Sequence, residues 1–260
     1  MDISFLAVAS LATFLASFIL TNLNYGGGIW LFYVLSIIWG LAAGCLIGWL
    51  LATFKLGIFE LSLGMAPMIY GLLNYFSSFI PSHDRLQALA GWNMKWLVTV
   101  QSAAGRTGLH VSVIVVILCL ISMHIFLRYT TPGRAIYAMG SDKSVAIRTG
   151  FNIRNIYMTV FSIMGAMAAI AAVTSSGLGS GPGSSTEKIF RIYATIIIGG
   201  VSFRGGKGSV FGTLLGVLLV GLISQSLVYL SIPTVWWDAF LGLILITFTT
   251  YHIVGRQANK

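Results

Sequence analysis

Apolar residues divide the chain into long blocks separated by short polar breaks. Such blocks run over about 3–22, 30–53, 58–80, 110–129, 156–176, 208–230 and 235–254. Each is close to the ~20 residues a helix needs to cross about 30 Å of hydrocarbon. One further run, 189–200, is too short for a comfortable crossing. It either extends back to Ser185 or forms a half-helix packed within protein, where irregular backbone is kept from lipid. The pattern predicts an all-α, polytopic membrane helix bundle of about seven or eight segments, with residues 1–260 forming one transmembrane domain.

Composition agrees. The 260 residues are 57% hydrophobic and only 8% charged, with a mean hydropathy of +0.91. Soluble domains are about a quarter charged, so this chain has too little polar surface to face water all round. The net charge of +9 does not point to nucleic acid, because the basic residues sit in short breaks between apolar blocks. That distribution is what topology sorting produces. If the loop at about 130–155 is cytoplasmic, then Lys55, Arg128, Arg134, Lys143, Arg148, Arg154, Arg204, Lys207, Arg256 and Lys260 lie inside. Arg85, Lys95, Arg106, Lys188 and Arg191 then lie outside, and both termini are cytoplasmic. Cys45 and Cys119 fall inside apolar blocks and read as small packing residues rather than a disulfide or metal pair.

The longest external piece is 81–109. Its Leu86, Leu89, Trp92, Trp96 and Val100 recur at helical spacing. They predict either a helix lying on the bilayer surface or a docking surface for an external partner. Glycines recur four apart at Gly40, Gly44 and Gly48, and again at Gly208, Gly212 and Gly216, with Gly221 beyond. Small residues at that spacing let membrane helices approach closely.

The stretch "IIIGGVSFRGGKGSVFG", 196–212, superficially resembles a phosphate-binding loop. The Walker pattern needs a hydroxyl after the lysine and a glycine five positions before the second glycine. Here Gly208 follows Lys207, and Val201 stands five positions before Gly206, so both ends fail. Ionisable residues are few and lie near block ends: Asp2, Glu60, His110, His124 and Asp238. An ion-coupled carrier expects such groups at mid-bilayer. The central loop, expected to be cytoplasmic, reads "TTPGRAIYAMGSDKSVAIRTGFNIRN", 130–155. Thr131-Pro132-Gly133 reads as a stop and turn. Ser141 or Asp142 can cap a short helix over roughly 143–149, Gly150 can end it, and a further helix starts near Asn152 or Asn155.

"GRAIYAMGSDKSVAIRTGFNIRN" resembles the G-R-x-I-Y-A-x-G-x-N-x-x-A-A-x-x-S-G-I pattern of the inner-membrane permeases of bacterial monosaccharide ABC importers. That is the ribose, xylose and galactose group, relatives of the branched-chain amino-acid permeases. "IIIGGVSFRGGKGSVFGTLLGVLLVGLI" resembles the same family's A-x-V-x-G-G-x-S-x-x-G-G-x-G-S-x-x-G-T-x-x-G segment, and "DISFL" at 2–6 its D-L-S-V-G motif. The sequence departs from the pattern at Phe5-Leu6, at Ser141-Asp142-Lys143 and at Glu60. The first motif follows earlier spans in the family, so a chain short at its N-terminus is expected.

The resemblance implies a multi-pass subunit of the bacterial inner membrane that is not itself an enzyme. It carries no cofactor of its own, and ATP and Mg²⁺ are bound by a partner. Expected partners are a cytoplasmic ABC ATPase, a second permease chain (a copy or a paralogue), an extracytoplasmic solute-binding protein and the lipid bilayer. Gly133, Arg134, Gly140, Lys143, Ala146, Arg148 and Gly150 are expected to couple to the ATPase. Gly199, Gly200, Gly205, Gly206 and Gly208 are expected to form a tight turn. Ser62, Asn74, Thr195 and Gln225 are candidates for the pathway, and hydrogen bonding between helices explains them equally well. Alternatives are an ion-coupled secondary transporter of a small polar solute and a shortened permease paralogue that does not transport.

Overall fold

The computed structural model describes residues 2–78, 96–102, 105–177, 186–202 and 205–231, with 236, 239–240, 242–244, 246–247 and 250 beyond them. Leu86, Leu89, Trp92, Arg204, Asp238 and much of the last expected span lie outside the described residues. The helices are α1 (Phe5–Asn22), α2 (Trp30–Phe54), α3 (Ile58–Ser77), α4 (Ser112–Tyr129), α5 (Thr131–Ser141), α6 (Lys143–Arg148), α7 (Ile153–Gly177), α8 (Thr186–Ile198) and α9 (Val210–Tyr229). Six of these coincide with expected spans to within a few residues. Five, namely α1, α2, α4, α7 and α9, are long and apolar enough to cross a membrane. The described part of helix α8, Thr186–Ile198, has 13 residues. At 1.5 Å per residue that part is about 20 Å long.

The bundle is helical as expected, with one addition on the expected external side. Strands β1 (Trp96–Ser102) and β2 (Gly105–His110) pair antiparallel, from Val98 opposite Leu109 to Ser102 opposite Gly105. Trp96 and Val100 therefore belong to a strand rather than to a surface helix. The run Val98-Thr99-Val100 is β-branched throughout, which disfavours the helix that the apolar spacing suggested. A second correction concerns Thr131-Pro132-Gly133, which opens α5 instead of a turn. Pro132 stands in the first turn, where its missing N–H leaves no bond unmade, and the Thr130 hydroxyl accepts from the Gly133 N–H at 3.2 Å.

Backbone contacts separate two compact units: Met1–Ser122 with Phe151–Ser184, and Met123–Gly150 with Ser185–Lys260. In the first, α2 packs along α7, with α1 against both and α3 against α1. The α2–α7 seam is built on the expected glycine stripe. Gly40 faces Gly165 and Ala169, Gly44 faces Phe161 and Ser162, and Gly48 faces Tyr157 and Met158. Ascending fours on one helix meet descending fours on the other, so the two run antiparallel. A Cβ on Gly44 would lie 2.7 Å from the Phe161 carbonyl carbon, and one on Gly48 2.8 Å from the Met158 Cα. Lipid is as apolar as the side chains, so such close packing, rather than hydrophobic exclusion, holds the pair together. Above the seam, Tyr33 and Thr174 share a buried hydroxyl–hydroxyl bond of 3.1 Å. Tyr33, Phe32, Leu20 and Val173 form the adjoining core.

Glu60 opens α3. Its carboxylate accepts from the Gly57 N–H at 3.3 Å, so the one acid in this apolar block serves as a helix cap at its end. The helix runs on through Pro67 to Ser77. Outward faces of the helices carry large apolar side chains, among them Trp30, Leu118 and Leu222, each more than 60% exposed. A bilayer covers such surface in a membrane protein.

A Gly44→Val substitution is expected to destabilise the fold by about 1–3 kcal/mol through overpacking of the seam. Gly221→Ala, whose Cβ would meet nothing within 4 Å, should leave the melting temperature of the detergent-purified protein within error of the parent. Equal effects of the two substitutions would show that the seam does not hold α2 to α7.

Candidate functional site

Two segments some seventy residues apart in sequence meet in the second unit. One is the elbow α5–α6. Helix α5 leaves α4 at a sharp corner, where a Cβ on Gly133 would fall 2.7 Å from the Leu127 Cα. Helix α6 follows after Asp142 alone. That residue's N–H donates to the Ala138 carbonyl at 3.0 Å, and its carboxylate accepts from the Ser144 N–H at 2.8 Å. Asp142 thus closes α5 and caps α6, the second of the two sequence candidates for that cap. The helix ends at Thr149, and Gly150 adopts φ +82°. The next helix takes Asn152 as its cap, with the Asn152 carboxamide oxygen accepting from the Arg154 N–H at 3.0 Å.

Along α6 only Ala146 is buried. Lys143, Val145, Ile147 and Arg148 are exposed, and so is Arg134 on α5. The elbow therefore offers a short surface of two apolar and two cationic side chains, with its backbone ends satisfied internally.

The other segment is the glycine turn between α8 and α9. The Val201 N–H reaches the Ile196 carbonyl at 3.2 Å and the Gly200 N–H the Ile197 carbonyl at 2.9 Å, with Gly200 at φ +78°. This pair of bonds is the Schellman arrangement, which needs a left-handed residue at that place. Beyond it, Ser202 N–H to Lys207 carbonyl and Gly205 N–H to Ser202 carbonyl, both 3.0 Å, close the turn. The Ser209 hydroxyl then caps α9 by accepting from the Gly212 N–H at 3.0 Å. Gly199 packs against Gly212 and Thr213, and Gly216 against Gly199, so α8 and α9 touch through backbone. Gly208 lies in the turn against Val201, and Gly221 faces open space, so neither extends the contact.

The elbow seats on this turn. A Cβ on Gly140 would lie 2.5 Å from the Gly206 nitrogen, one on Gly205 2.7 Å from the Gly140 carbonyl oxygen, and one on Gly206 2.9 Å from the Ser141 Cα. The Tyr137 hydroxyl donates to the Gly208 carbonyl at 2.9 Å. Tyr137 stands inside the sequence motif, yet a tyrosine in an apolar pattern gives no sign of a partner 71 positions away. The contact also puts the Lys207 side of the turn and the basic elbow at the same end of this unit, consistent with the orientation expected from the charges.

Two of the four pathway candidates fall in the first unit and two in the second. Ser62 is buried and donates to the Phe59 carbonyl at 2.9 Å, while Asn74 is exposed on the same helix, both in the first unit. In the second unit, Thr195 donates to the Ile192 carbonyl at 2.6 Å and Gln225 is exposed. At the chain's start, Asp2 accepts from the Ser4 N–H and hydroxyl at 2.7 and 2.6 Å. Burial raises its carboxyl above the ordinary range, opposed by those two bonds. Among the described residues, no group of His, Cys, Asp and Glu stands where it could hold a metal ion.

A family model described as the branched-chain amino acid transport system / permease component matches residues 1–249. The chain belongs to this permease family. It is accordingly a multi-pass protein of the bacterial inner membrane. It is 33% identical over 156 residues to the "Probable ABC transporter permease protein YphD" of Escherichia coli, covering 59% of this chain and 47% of that protein. It is 28% identical over 218 residues to the fructose import permease protein FrcC of Rhizobium meliloti, covering 82% and 60%. It is 28% identical over 250 residues to the autoinducer 2 import system permease protein LsrC of Photorhabdus luminescens, covering 92% and 70%. The chain thus spans about half to two thirds of the length of these permeases. No solved structure matches it.

Tyr137→Phe removes one part-buried hydroxyl bond, and the permease should lose about 1 kcal/mol, read as a fall of about 2–4 °C in melting temperature. Gly205→Ala should cost more than Gly200→Ala. Both positions have positive φ, but only at Gly205 does the added methyl meet backbone, whereas at Gly200 it meets nothing within 4 Å. The reverse order in thermal unfolding would contradict the seating of the elbow.

Proposed function

We propose that this permease is the membrane-spanning subunit of an ATP-binding-cassette importer, and that it forms the path of a small sugar through the membrane. What supports the reading most directly is the α5–α6 elbow. In a chain of this family, a short capped helix stands exposed, buried only at Ala146, with Val145, Ile147, Lys143 and Arg148 turned outward. A separate cytoplasmic ATPase binds and hydrolyses ATP and grips this elbow. Gly133, Arg134 and Gly140 set its position, Lys143 and Arg148 meet the ATPase through their charges, and Ala146 and Gly150 allow close approach. Two permease chains, identical or paralogous, surround the pathway, and an extracytoplasmic binding protein delivers the solute to the external loops. Ser62, Asn74, Thr195 and Gln225 lend the pathway its polarity. The fructose and autoinducer 2 import permeases among the relatives support a small sugar or similar polar solute as cargo.

The reading makes coupling mechanical, resting on a rigid helix rather than on catalytic side chains. A Gly150→Trp substitution tests it in the reconstituted complex. Solute-stimulated ATP hydrolysis should fall tenfold or more, equivalent to about 1.4 kcal/mol of lost docking. Gly150 has φ +82° and open space around it, so Gly150→Ala strains the backbone without adding bulk and should fall much less. Parental turnover in the tryptophan variant, or purification of the chain from native membranes without any P-loop ATPase, would overturn the proposal.

A further inference from the structure

We propose that the seat of α5 on the glycine turn is the joint through which movement of α6 reaches the α8–α9 pair. The inference rests on the importer reading above, in which α6 is where the ATPase grips. It is drawn from a rigid path inside the second unit.

The path begins at α6 and has no slack. Asp142 is the only residue between α6 and α5, and it is bonded to both: its N–H to Ala138, its carboxylate to Ser144 and its carbonyl to the Ala146 N–H at 3.2 Å. A tilt of α6 therefore carries the last turn of α5 with it. At its other end, α5 pivots on Gly133, which is pressed against the backbone of Phe126 and Leu127.

The last turn of α5 rests on the glycine turn largely through main chain. Gly140 abuts Gly206 and Gly205, and Ser141 abuts Gly206, all at separations that exclude a methyl group. Side chains in contact absorb a displacement by changing rotamer, whereas backbone against backbone has no such freedom and passes the displacement on. Tyr137, bonded to the Gly208 carbonyl, stops the two from parting.

The turn itself is tied at both ends. The Schellman bonds fasten it to α8, the Ser209 cap fastens it to α9, and Gly199–Gly212 contact locks those helices together. A push on Gly205 and Gly206 is thus delivered to α8 and to the long helix beside it. These glycines act as the bearing of a mechanical linkage, and Tyr137 is its positioning residue.

Hydrogen exchange of the full complex, read by mass spectrometry with and without a trapped ATP analogue, tests the joint. In the parent complex the analogue should change exchange at α6 and also at 199–202 and 205–209. In Gly140→Val the change at α6 should persist while that at the turn falls by more than half. Tyr137→Phe, which leaves the backbone seat in place, guards against misfolding of the first variant and should lower the turn's response by a smaller, measurable fraction. A turn that responds fully in both variants, or that is silent in the parent while α6 responds, overturns the joint and leaves the importer reading intact. A parent complex in which α6 itself ignores the nucleotide overturns the importer reading, and the joint with it.

Discussion

Close approach of main chain to main chain is the constraint on which this fold depends. A helix pair in lipid gains nothing by hiding apolar side chains from a solvent that is equally apolar. Association must come from dispersion and weak polar contacts, which decay within an ångström of optimal distance. The chain meets this with glycine at several places where two backbones cross. Gly40, Gly44 and Gly48 meet α7, Gly199 and Gly212 join α8 to α9, and Gly140 meets Gly205 and Gly206. Two of these sets build helix pairs. The third seats a surface elbow on a turn.

The same economy governs the polar groups. Within the helices, several serine and threonine hydroxyls return to their own backbone, as Ser62 does to Phe59 and Thr195 to Ile192. At helix ends the caps are supplied by the residues that also make the turns: Thr130 for α5, Asp142 for α6, Asn152 for the helix after it and Ser209 for α9. Glu60 fits this pattern, which removes the need for a functional reason for an acid in an apolar block. Main-chain groups satisfied in this way leave the elbow free to present Val145, Ile147, Lys143 and Arg148 outward without a frayed backbone behind them.

The glycine-rich stretch shows how one composition supports different physics. A nucleotide-binding loop uses glycine so that successive N–H groups converge on phosphate. Here the Val201, Gly200 and Gly205 N–H groups are spent on Ile196, Ile197 and Ser202, within the turn and the helix it ends. Glycine at 200 supplies positive φ, and glycine at 205 and 206 supplies clearance as well. The failed Walker spacing and the closed hydrogen bonding therefore tell the same story from two sides.

Sequence alone determined the membrane class, the position of six helices, the glycine stripe of α2, the cap choices around α6 and the membership of a permease family. These are set by local rules: block length against bilayer thickness, small residues at a spacing of four, and side-chain oxygens just before a helix. Only the tertiary structure decided that Trp96 and Val100 lie in a strand, that Pro132 starts a helix, and that Gly221 faces nothing. It alone joined Tyr137 to Gly208 and Gly140 to Gly206. Apolar spacing cannot distinguish a surface helix from a strand over so few residues, and a proline marks the end of one helix and the start of the next with the same ring. A contact across seventy positions leaves no periodic trace, because glycine on either side records only that something comes near, not what.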